Sequence, residues 1–277
     1  MTSLSERRAA FRQLHQAGSF VIPNPWDVGS ARLLAGLDFK ALATTSGGFA
    51  FSRGLPDGAV SRDAMLAHVA DIVEATELPV NADFANAFAD DAEGVATNVS
   101  LCVDTGVAGL SVEDMASDRS LYAFDHAVDR IRAARAAIDA SRQDVLLTAR
   151  SEALLVGHPD ALNEACRRIA AFAEAGADVL FVPGKLDAAA TAAVLAAAGG
   201  KPINVIALDP AQPIAEIAAR GVRRISLATA LARAAYGGFL RLAREVAGAG
   251  TLTELAHAEP GAELNRVFAP FARGSQS

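Results

Sequence analysis

The amino-acid sequence predicts an α/β protein built as a (β/α)8 barrel, and three observations lead to this prediction. Eight short apolar segments recur along the chain, each followed by a helix or a helical loop, which is typical of parallel strands joined by right-handed crossovers. These segments are continuous runs of Val, Ile, Leu and Ala, as expected when both faces of a strand are buried. The length of 277 residues is close to the roughly 250 residues that one such barrel uses.

The predicted strands follow an N-terminal helix over residues 4–17, whose apolar stripe runs through Leu4, Phe11 and Leu14. In chain order the strands span residues 19–23, 41–46, 79–83, 109–114, 144–150, 178–184, 201–207 and 223–228. No G-x-G-x-x-G motif follows the first strand, which argues against an open dinucleotide-binding sheet as the alternative architecture.

The helices between the strands are bounded by capping residues and glycines. Asp27 and Ser61 are predicted N-caps, and Gly106 and Gly176 each follow the end of a helix. The predicted helices span residues 28–35, 62–76, 89–105, 125–138, 160–175, 188–198 and 213–220. We expect a single barrel domain over residues 1–277, with C-terminal helices from about 229 and a loosely ordered tail from about 261.

Composition and charge narrow the class of protein. A net charge of -7 and a pI near 5.3 give no electrostatic reason to expect nucleic acid or anionic membrane as a partner. The N-terminus has no long apolar region of the kind found in secretory signals, and no apolar run reaches the roughly 20 residues that a membrane span needs. We therefore expect a cytoplasmic enzyme that acts on a small molecule.

Polar and charged side chains stand where several predicted strands end. Since the C-terminal ends of the strands carry the active site in barrels of this type, these side chains are expected to converge. They are Ser46, Gly47, Gly48, Asp83, Glu113, Arg150 and Asn204, with Asp57 on the loop after the second strand. Asp83 comes directly after an apolar strand, and a carboxylate in that position needs a metal, a cation or a hydrogen-bond donor.

Each of these residue types suits one task in binding a small acid. Asp83, Asp57 and Glu113 could hold a hard divalent cation, which prefers oxygen ligands. The backbone amides of residues 46–48 could bind an oxyanion, because glycine lets a backbone approach closely. Arg150 could clamp a carboxylate with two parallel hydrogen bonds. Together they suit a small dicarboxylate or 2-oxo acid whose reaction passes through an enolate.

Purely structural interpretations of the same residues remain open from the sequence. Asp83 could be a strand-end cap, and Asp57 lies in Leu55-Pro-Asp-Gly58, which is a good turn sequence. Arg150 could pair with Glu113 or Glu152, and Gly47-Gly48 could form a plain turn. The placement of such residues at successive strand ends is the stronger indication of a site.

Six segments of the chain resemble the isocitrate lyase/phosphoenolpyruvate mutase superfamily. They are Thr45-Ser-Gly-Gly48, Leu55-Pro-Asp-Gly58, Pro79 to Phe88, Val112-Glu-Asp114, Thr148-Ala-Arg-Ser-Glu-Ala153 and Ala230 to Phe239. The resemblance runs from about residue 11 to residue 251. Their joint occurrence is specific for the superfamily, but it does not choose among the activities found there.

The resemblance implies a fold, a cofactor and a set of residue roles. It implies a barrel whose C-terminal helix is swapped between subunits in a homotetramer, Mg²⁺ or Mn²⁺ as cofactor, and chemistry next to an oxo-carboxylate. By position, Asp83 resembles the direct metal ligand, and Asp57 and Glu113 resemble the carboxylates that bind metal-held waters. Residues 46–48 resemble the amide-lined substrate site, and Arg150 resembles the arginine that contacts substrate.

Three departures from the family pattern bear on the activity. The family motif D-x-[D/E]-x-G-[Y/F]-G appears here as residues 83–89 with Ala85 in place of the second carboxylate and alanines in place of both glycines. The loop after Asp114 lacks the K-[K/R]-C-G-H motif that supplies an acid in the isocitrate and methylisocitrate lyases. Pro183 stands where the phosphonate-processing mutases have a histidine.

The sequence thus favours a divergent Mg²⁺-dependent carbon–carbon lyase or decarboxylase that acts on a small 2-oxo or 2-hydroxy di- or tricarboxylate through an enolate. Water, Tyr122 and Glu113 are candidate proton donors, and Glu113 and Arg150 are the predicted catalytic residues. Ser46, Gly47, Gly48, Arg150 and Asn204 are predicted to bind substrate. The alternatives are P–C bond chemistry on a phosphonopyruvate-like substrate, a 2-oxo-acid-binding protein with little catalysis, and a purely structural barrel.

Overall fold

Eight parallel strands form one sheet in the computed structural model of the chain, which describes residues 2–272. They are β1 (Phe20–Ile22), β2 (Leu42–Ala43), β3 (Val80–Asp83), β4 (Gly109–Glu113), β5 (Leu146–Arg150), β6 (Val179–Phe181), β7 (Ile203–Ile206) and β8 (Arg224–Ser226). Each strand lies within a segment that the sequence predicts as a strand, so the eight strand predictions are confirmed.

The sheet is nearly closed into a barrel. The strand order is β1-β8-β7-β6-β5-β4-β3-β2, so β1 and β2 are the two ends of the ladder. The Ala43 amide donates a hydrogen bond of 3.0 Å to the Pro23 carbonyl, which links the end of β1 to β2. With helices on its outer face, this nearly closed sheet confirms the predicted (β/α)8 barrel.

Eleven α-helices are described in residues 2–272, and most follow a strand. They are α1 (Leu4–Leu14), α2 (Val28–Ala35), α3 (Ser46–Ser52), α4 (Arg62–Ala75), α5 (Ala92–Asp104), α6 (Phe124–Ala140), α7 (Ala161–Glu174), α8 (Ala188–Ala197), α9 (Ile214–Ala219), α10 (Ala230–Gly248) and α11 (Gly261–Ala272). A 3₁₀ helix, Thr253–His257, lies between the last two.

The predicted N-caps of two helices are confirmed: the Asp27 side chain accepts from the Ser30 amide, and the Ser61 side chain accepts from the Ala64 amide. Of the helices in these residues, none is both long and apolar enough to cross a membrane.

Two apolar cores hold the barrel together. The larger one lies between the sheet and the surrounding helices. The smaller one includes Phe11 of α1 together with Ile22, Ala43 and Leu146 from the strands. Because α1 precedes β1 and Leu146 begins β5, this small core fills the N-terminal end of the barrel, which leaves the opposite end for polar side chains.

Two segments differ from the sequence-based expectation. Residues 46–52 form the helix α3 instead of a glycine turn, because the Thr45 side chain caps the Gly48 amide at 3.2 Å. Residues 261–272, predicted as part of a loosely ordered tail, form the helix α11. The Arg32 guanidinium of α2 lies 4.2 Å from the centre of the Phe271 ring, so packing on the barrel supports this helix. Residues 273–277 of the predicted tail lie outside the described residues.

Candidate active site

A small cavity opens at the C-terminal end of the barrel, and we call it the inner cavity. Its volume is about 220 Å³, and its walls come from strand ends and from the start of α3. Of the residues predicted from the sequence as a site, it is lined by Ser46, Gly47, Asp57, Asp83, Arg150 and Asn204. A volume of this size has room for a small acid, and it is smaller than typical sites for drug-sized ligands.

A second, outer cavity of about 780 Å³ adjoins it between the loops that follow β2, β3 and β4. Ser46, Asp57 and Arg150 line both cavities, so the two spaces meet at the predicted site. Glu113 lines the outer cavity. Six of the predicted residues are therefore gathered at one rim of the barrel. Asn204 lines the inner cavity beside Arg224, below that rim, and Gly48 is buried and lines neither cavity.

Arg150 is the centre of the charged cluster. Its guanidinium lies 2.7 Å from an Asp83 oxygen, 2.8 Å from Glu152 and 3.2 Å from Glu113. Burial lowers the pKa of the Arg150 guanidinium, but the three carboxylates outweigh that effect and raise it. The structural pairing of Arg150 with Glu113 and Glu152 is thus present, together with a third pair to Asp83.

Asp83 is held on both of its carboxylate oxygens. One oxygen accepts from Arg150, and the other accepts from the amide and the hydroxyl of Ser46, each at 2.9 Å. The Asp83 amide donates to the Thr44 hydroxyl at 2.8 Å. Because β3 and the start of α3 meet here, residues 37 positions apart in the chain are joined by two direct hydrogen bonds.

The two glycines of the predicted substrate site are required by space. A Cβ atom at Gly47 would lie 3.0 Å from the Asp57 carboxylate and from the Thr229 side chain. At Gly48 a Cβ atom would lie 2.6 Å from the Thr45 side chain. Within the described residues, the Ser46 amide is used by Asp83 and the Gly48 amide by Thr45, so the Gly47 amide is the one of the three left open to a ligand.

The electrostatics of the rim show an excess of negative charge. Burial raises the pKa of Asp57, and the charge of Asp83 adds to that effect. Burial also raises the pKa of Glu113 to about 8, although Arg150 opposes this shift. Four carboxyl groups, those of Asp57, Asp83, Glu113 and Glu152, thus lie around Arg150, and Arg119 is a second guanidinium that acts on Asp57. A further cation would relieve their mutual repulsion.

The donor set fits a hydrated divalent cation. Among residues 2–272 no three His, Cys, Asp or Glu side chains are arranged to enclose a metal on their own. Mg²⁺ is usually held by one or two carboxylates and keeps several waters, so such an enclosure is not needed. The hard oxygen donors of Asp83, Asp57 and Glu113 and the surplus of negative charge match that mode of binding.

Tyr122, one of the predicted proton donors, is engaged elsewhere. Its hydroxyl donates to Asp90 at 2.5 Å and accepts from the Asn86 amide at 2.9 Å. Burial and the Asp90 hydrogen bond raise the pKa of Tyr122 to about 12. Tyr122 lines neither the inner nor the outer cavity, so of the predicted proton donors Glu113 and water remain.

Several polar residues that line the inner cavity were missed by the sequence analysis, and two of them stand out. Asn81 of β3 and Arg224 of β8 both line the inner cavity, one layer below the rim. The indication in the sequence was a polar or charged residue inside an otherwise apolar strand, since Asn81 lies two residues before Asp83 and Arg224 lies within Arg223-Arg-Ile-Ser-Leu227.

Comparisons with known proteins find relatives of this chain. The family model described as phosphoenolpyruvate phosphomutase matches residues 11–247 of the chain. The chain is 34% identical over 154 residues to the 2-methylisocitrate lyase of Escherichia coli (strain K12), a match that covers 52% of this chain and 50% of that protein.

Two solved structures are similar over almost the whole chain. One is a protein of Burkholderia cenocepacia J2315 described provisionally as a lyase/mutase, with 48% identity, a TM-score of 0.92, and coverage of 96% of this chain and 97% of that one. The other is oxaloacetate acetylhydrolase in complex with the inhibitor 3,3-difluorooxalacetate, with 25% identity, a TM-score of 0.87, and coverage of 99% and 96%.

Proposed function

The chain belongs to the phosphoenolpyruvate phosphomutase family, and from that premise we propose that it is a Mg²⁺- or Mn²⁺-dependent carbon–carbon lyase or decarboxylase. Its substrate in this proposal is a small 2-oxo or 2-hydroxy di- or tricarboxylate, and the reaction passes through an enolate. The observation that carries the proposal is the cluster of Asp83, Arg150 and Ser46, with Asp57, on a cavity of about 220 Å³, and with Glu113 on the adjoining outer cavity. Relatives of the chain are lyases, hydrolases and mutases, which supports an enzyme.

Asp83, together with Asp57 and Glu113, would hold the cation. When bound, a divalent cation supplies Lewis-acid stabilisation for negative charge that develops on the substrate. Superfamily members use a divalent metal, and the excess of carboxylates over guanidinium at this rim supports the same requirement here.

Arg150, Gly47 and Asn204 would position the substrate. Arg150 keeps its positive charge at any physiological pH, so it can pair with a substrate carboxylate while it orients Asp83. The open Gly47 amide can donate to an oxygen that gains negative charge, as in other oxyanion sites. Asn204 is 1% exposed and presents a neutral polar side chain to the inner cavity.

P–C bond chemistry on a phosphonopyruvate-like substrate is the second candidate function, and the family model that matches the chain favours it. Pro183 argues against it, because this side chain lines the inner cavity at the position where the phosphonate-processing mutases have a histidine. A cyclic side chain without a proton to give or take cannot replace an imidazole there. The carbon–carbon lyase therefore remains our first proposal.

Turnover assays on the purified protein test the proposal directly. We expect Mg²⁺-dependent cleavage of one member of a set containing oxaloacetate, methylisocitrate and phosphonopyruvate, with loss of activity in EDTA and recovery on adding Mg²⁺. Asp83→Asn should lower kcat/KM by about 100-fold or more, because it removes a metal ligand. The matched control is Asp71→Asn, an exposed carboxylate on α4 whose loss should leave turnover unchanged.

A direct measurement of metal binding separates the remaining outcomes. Mn²⁺ titration followed by electron paramagnetic resonance should show weaker binding in Asp83→Asn and tighter binding in Ala85→Asp, which restores the second carboxylate of the family motif on the outer cavity. Tight binding of a 2-oxo acid with no turnover would support the binding-protein alternative. Unchanged metal and ligand binding in Asp83→Asn would support a purely structural barrel.

A further inference from the structure

The side chain of Arg224 lies inside the barrel, below the charged rim. It is 3% exposed and lines the inner cavity. Its guanidinium donates to the side-chain oxygens of Asn204 at 2.9 Å, Thr148 at 3.1 Å and Asn81 at 3.3 Å. These partners belong to β7, β5 and β3, so the guanidinium reaches across the interior from β8.

The positive charge of Arg224 has no carboxylate partner among residues 2–272. All three of its hydrogen-bond acceptors are neutral, and its pKa is lowered to about 9 by desolvation and by the charge of Arg150. Among the other buried arginines, Arg168 pairs with Asp114 and Glu164. Arg8 and Arg130 also donate to neutral acceptors, but carboxylate charges raise the pKa of each against desolvation, whereas no carboxylate acts on Arg224 in that way. A buried charge without a counter-ion is costly, so an anion that completes the pair would be favoured.

The inner cavity therefore has two chemically different parts. Asp83 and Asp57 make its outer part acidic, and Arg224 makes its inner part basic. The two parts are one layer apart, because Asn81 and Thr148, which bind Arg224, lie two residues before Asp83 and Arg150 on the same strands. A guanidinium has five N–H donors, and only three hydrogen bonds are made, which leaves donors for a ligand.

We propose that Arg224, assisted by the side chains of Asn204 and Asn81, is the binding site for a second carboxylate of the substrate. The protein would then select dicarboxylates over acids that carry one carboxylate. This inference rests on the proposed function, in which the first carboxylate lies at the metal and Arg150 end of the same cavity. Charge-assisted hydrogen bonds to a planar carboxylate are the interaction that a buried guanidinium makes best.

A pair of stable acids tests the selection in the unmodified protein. L-malate and (S)-2-hydroxybutyrate differ only in that a methyl group replaces the second carboxylate. We expect isothermal titration calorimetry in the presence of Mg²⁺ to show malate binding about 10- to 100-fold tighter. Equal affinity for the two acids would overturn the inference and leave the proposed function standing.

Substitutions at Arg224 assign the preference to this side chain. Arg224→Met should abolish the malate preference and leave the affinity for 2-hydroxybutyrate unchanged, whereas Arg224→Lys should keep part of the preference because it keeps the charge. A malate preference that survives in folded Arg224→Met would overturn the assignment. Thermal unfolding monitored by circular dichroism shows whether each variant is folded.

Asn204→Asp gives a test that does not depend on removing Arg224. The change keeps the shape of the side chain and places a carboxylate where the Asn204 oxygen now accepts from the Arg224 guanidinium at 2.9 Å. We expect a higher Tm together with a weaker preference for malate, because the new carboxylate at position 204 would pair with Arg224 in place of the second carboxylate of the substrate. A higher Tm with an unchanged preference would overturn the inference in favour of a structural role for Arg224.

Binding of neither acid to the unmodified protein also overturns the inference. The turnover assay described above then decides separately whether the proposed function survives.

Discussion

Arg150 sets the charge balance of the barrel mouth at the scale of single residues. One guanidinium is shared by Asp83, Glu113 and Glu152, and its side chain is 14% exposed. Water screens these pairs poorly because they are buried, so a change in any one charge shifts the pKa of the other groups. A cation that enters beside Asp83 would therefore alter the protonation of Glu113 as well, and metal binding and proton binding are expected to be linked.

His15 provides a prediction on pH and stability at the same scale. It is 8% exposed, its Nδ1 lies 2.8 Å from the Phe11 carbonyl, and desolvation followed by the charge of Arg224 lowers its pKa from 6.5 to about 3. A histidine whose pKa is lower in the folded than in the unfolded state contributes stability at pH values above the unfolded-state pKa. This contribution is lost as the pH falls below the unfolded-state pKa. Between about pH 6.5 and pH 4.5, His15 alone should lower the free energy of unfolding by about 2 to 3 kcal/mol.

Urea denaturation at about pH 7 and about pH 4.5 measures this loss. In His15→Leu the loss between the two pH values should be smaller by the His15 contribution. Phe11→Leu changes an apolar side chain that packs edge-on against His15, and it should lower stability at both pH values while His15 still supplies most of the pH dependence. An identical pH dependence in His15→Leu and the unmodified protein would contradict the prediction.

The loop after β3 shows how whole elements shape the site. Ala85, Ala87 and Phe88 all have positive φ angles, of 47°, 59° and 53°. Residues with side chains are strained in this region, and Ala87 stands where the family motif has a glycine. The Asn98 side chain of α5 donates to the Ala87 and Phe88 carbonyls, and Arg130 of α6 donates to backbone carbonyls on either side. The neighbouring helices thus hold the loop in a shape that its own residues disfavour.

Helix α2 allows a prediction about capping at this scale. The Asp27 side chain accepts from the Ser30 amide at 2.6 Å, and the Ser30 hydroxyl accepts from the Asp27 amide at 3.1 Å. Asp27→Ala should lower the free energy of unfolding by about 1 kcal/mol, measured by chemical denaturation, because it removes the N-cap. Asp27→Ser should keep most of the stability, and neither change should affect turnover. A loss of turnover in Asp27→Ser would show that Asp27 has a role beyond capping.

At the scale of the whole molecule, the C-terminal helices present apolar side chains to solvent. Ala232 is the one buried residue among the 19 of α10, and Phe239 is 66% exposed, with Leu240 and Val246 also exposed. A helix with so little burial gains little stability from its own chain, so it is expected to pack on another subunit. This exposure is consistent with the homotetramer with swapped helices predicted from the family resemblance, and the assembly remains a prediction.

Light scattering coupled to gel filtration tests the assembly. We expect a mass about four times the 28.5 kDa of one chain. Phe239→Glu should shift the protein to smaller species, since it places a charge in the proposed interface. Leu37→Glu is the matched control, because Leu37 is also 66% exposed but lies after α2 and away from α10. A single-chain mass for the unmodified protein at micromolar concentration would contradict the prediction.

Local patterns in the sequence were sufficient to predict the order of the strands and the end of the barrel where the polar side chains gather. Continuous apolar runs identify buried strands, and capping residues such as Asp27 and Ser61 mark helix starts, because both depend on near neighbours in the chain. These local patterns did not predict α3, because Gly47 and Gly48 allow close packing against Asp57 and Thr45 and do not form a turn. They also failed for α11, which packs against α2 more than 200 residues earlier in the chain.

The sequence by itself determined which chemical groups this protein has at its strand ends: carboxylates, one arginine and a glycine pair. Only the tertiary structure decided how their charges combine. The register that sets Glu113 beside Arg150 brings three carboxylates to one guanidinium, and the closure of the barrel places Arg224 among neutral side chains from three other strands. The physical reason is that charge pairing depends on distances between strands, and those distances are set by the hydrogen-bonded ladder of the whole sheet.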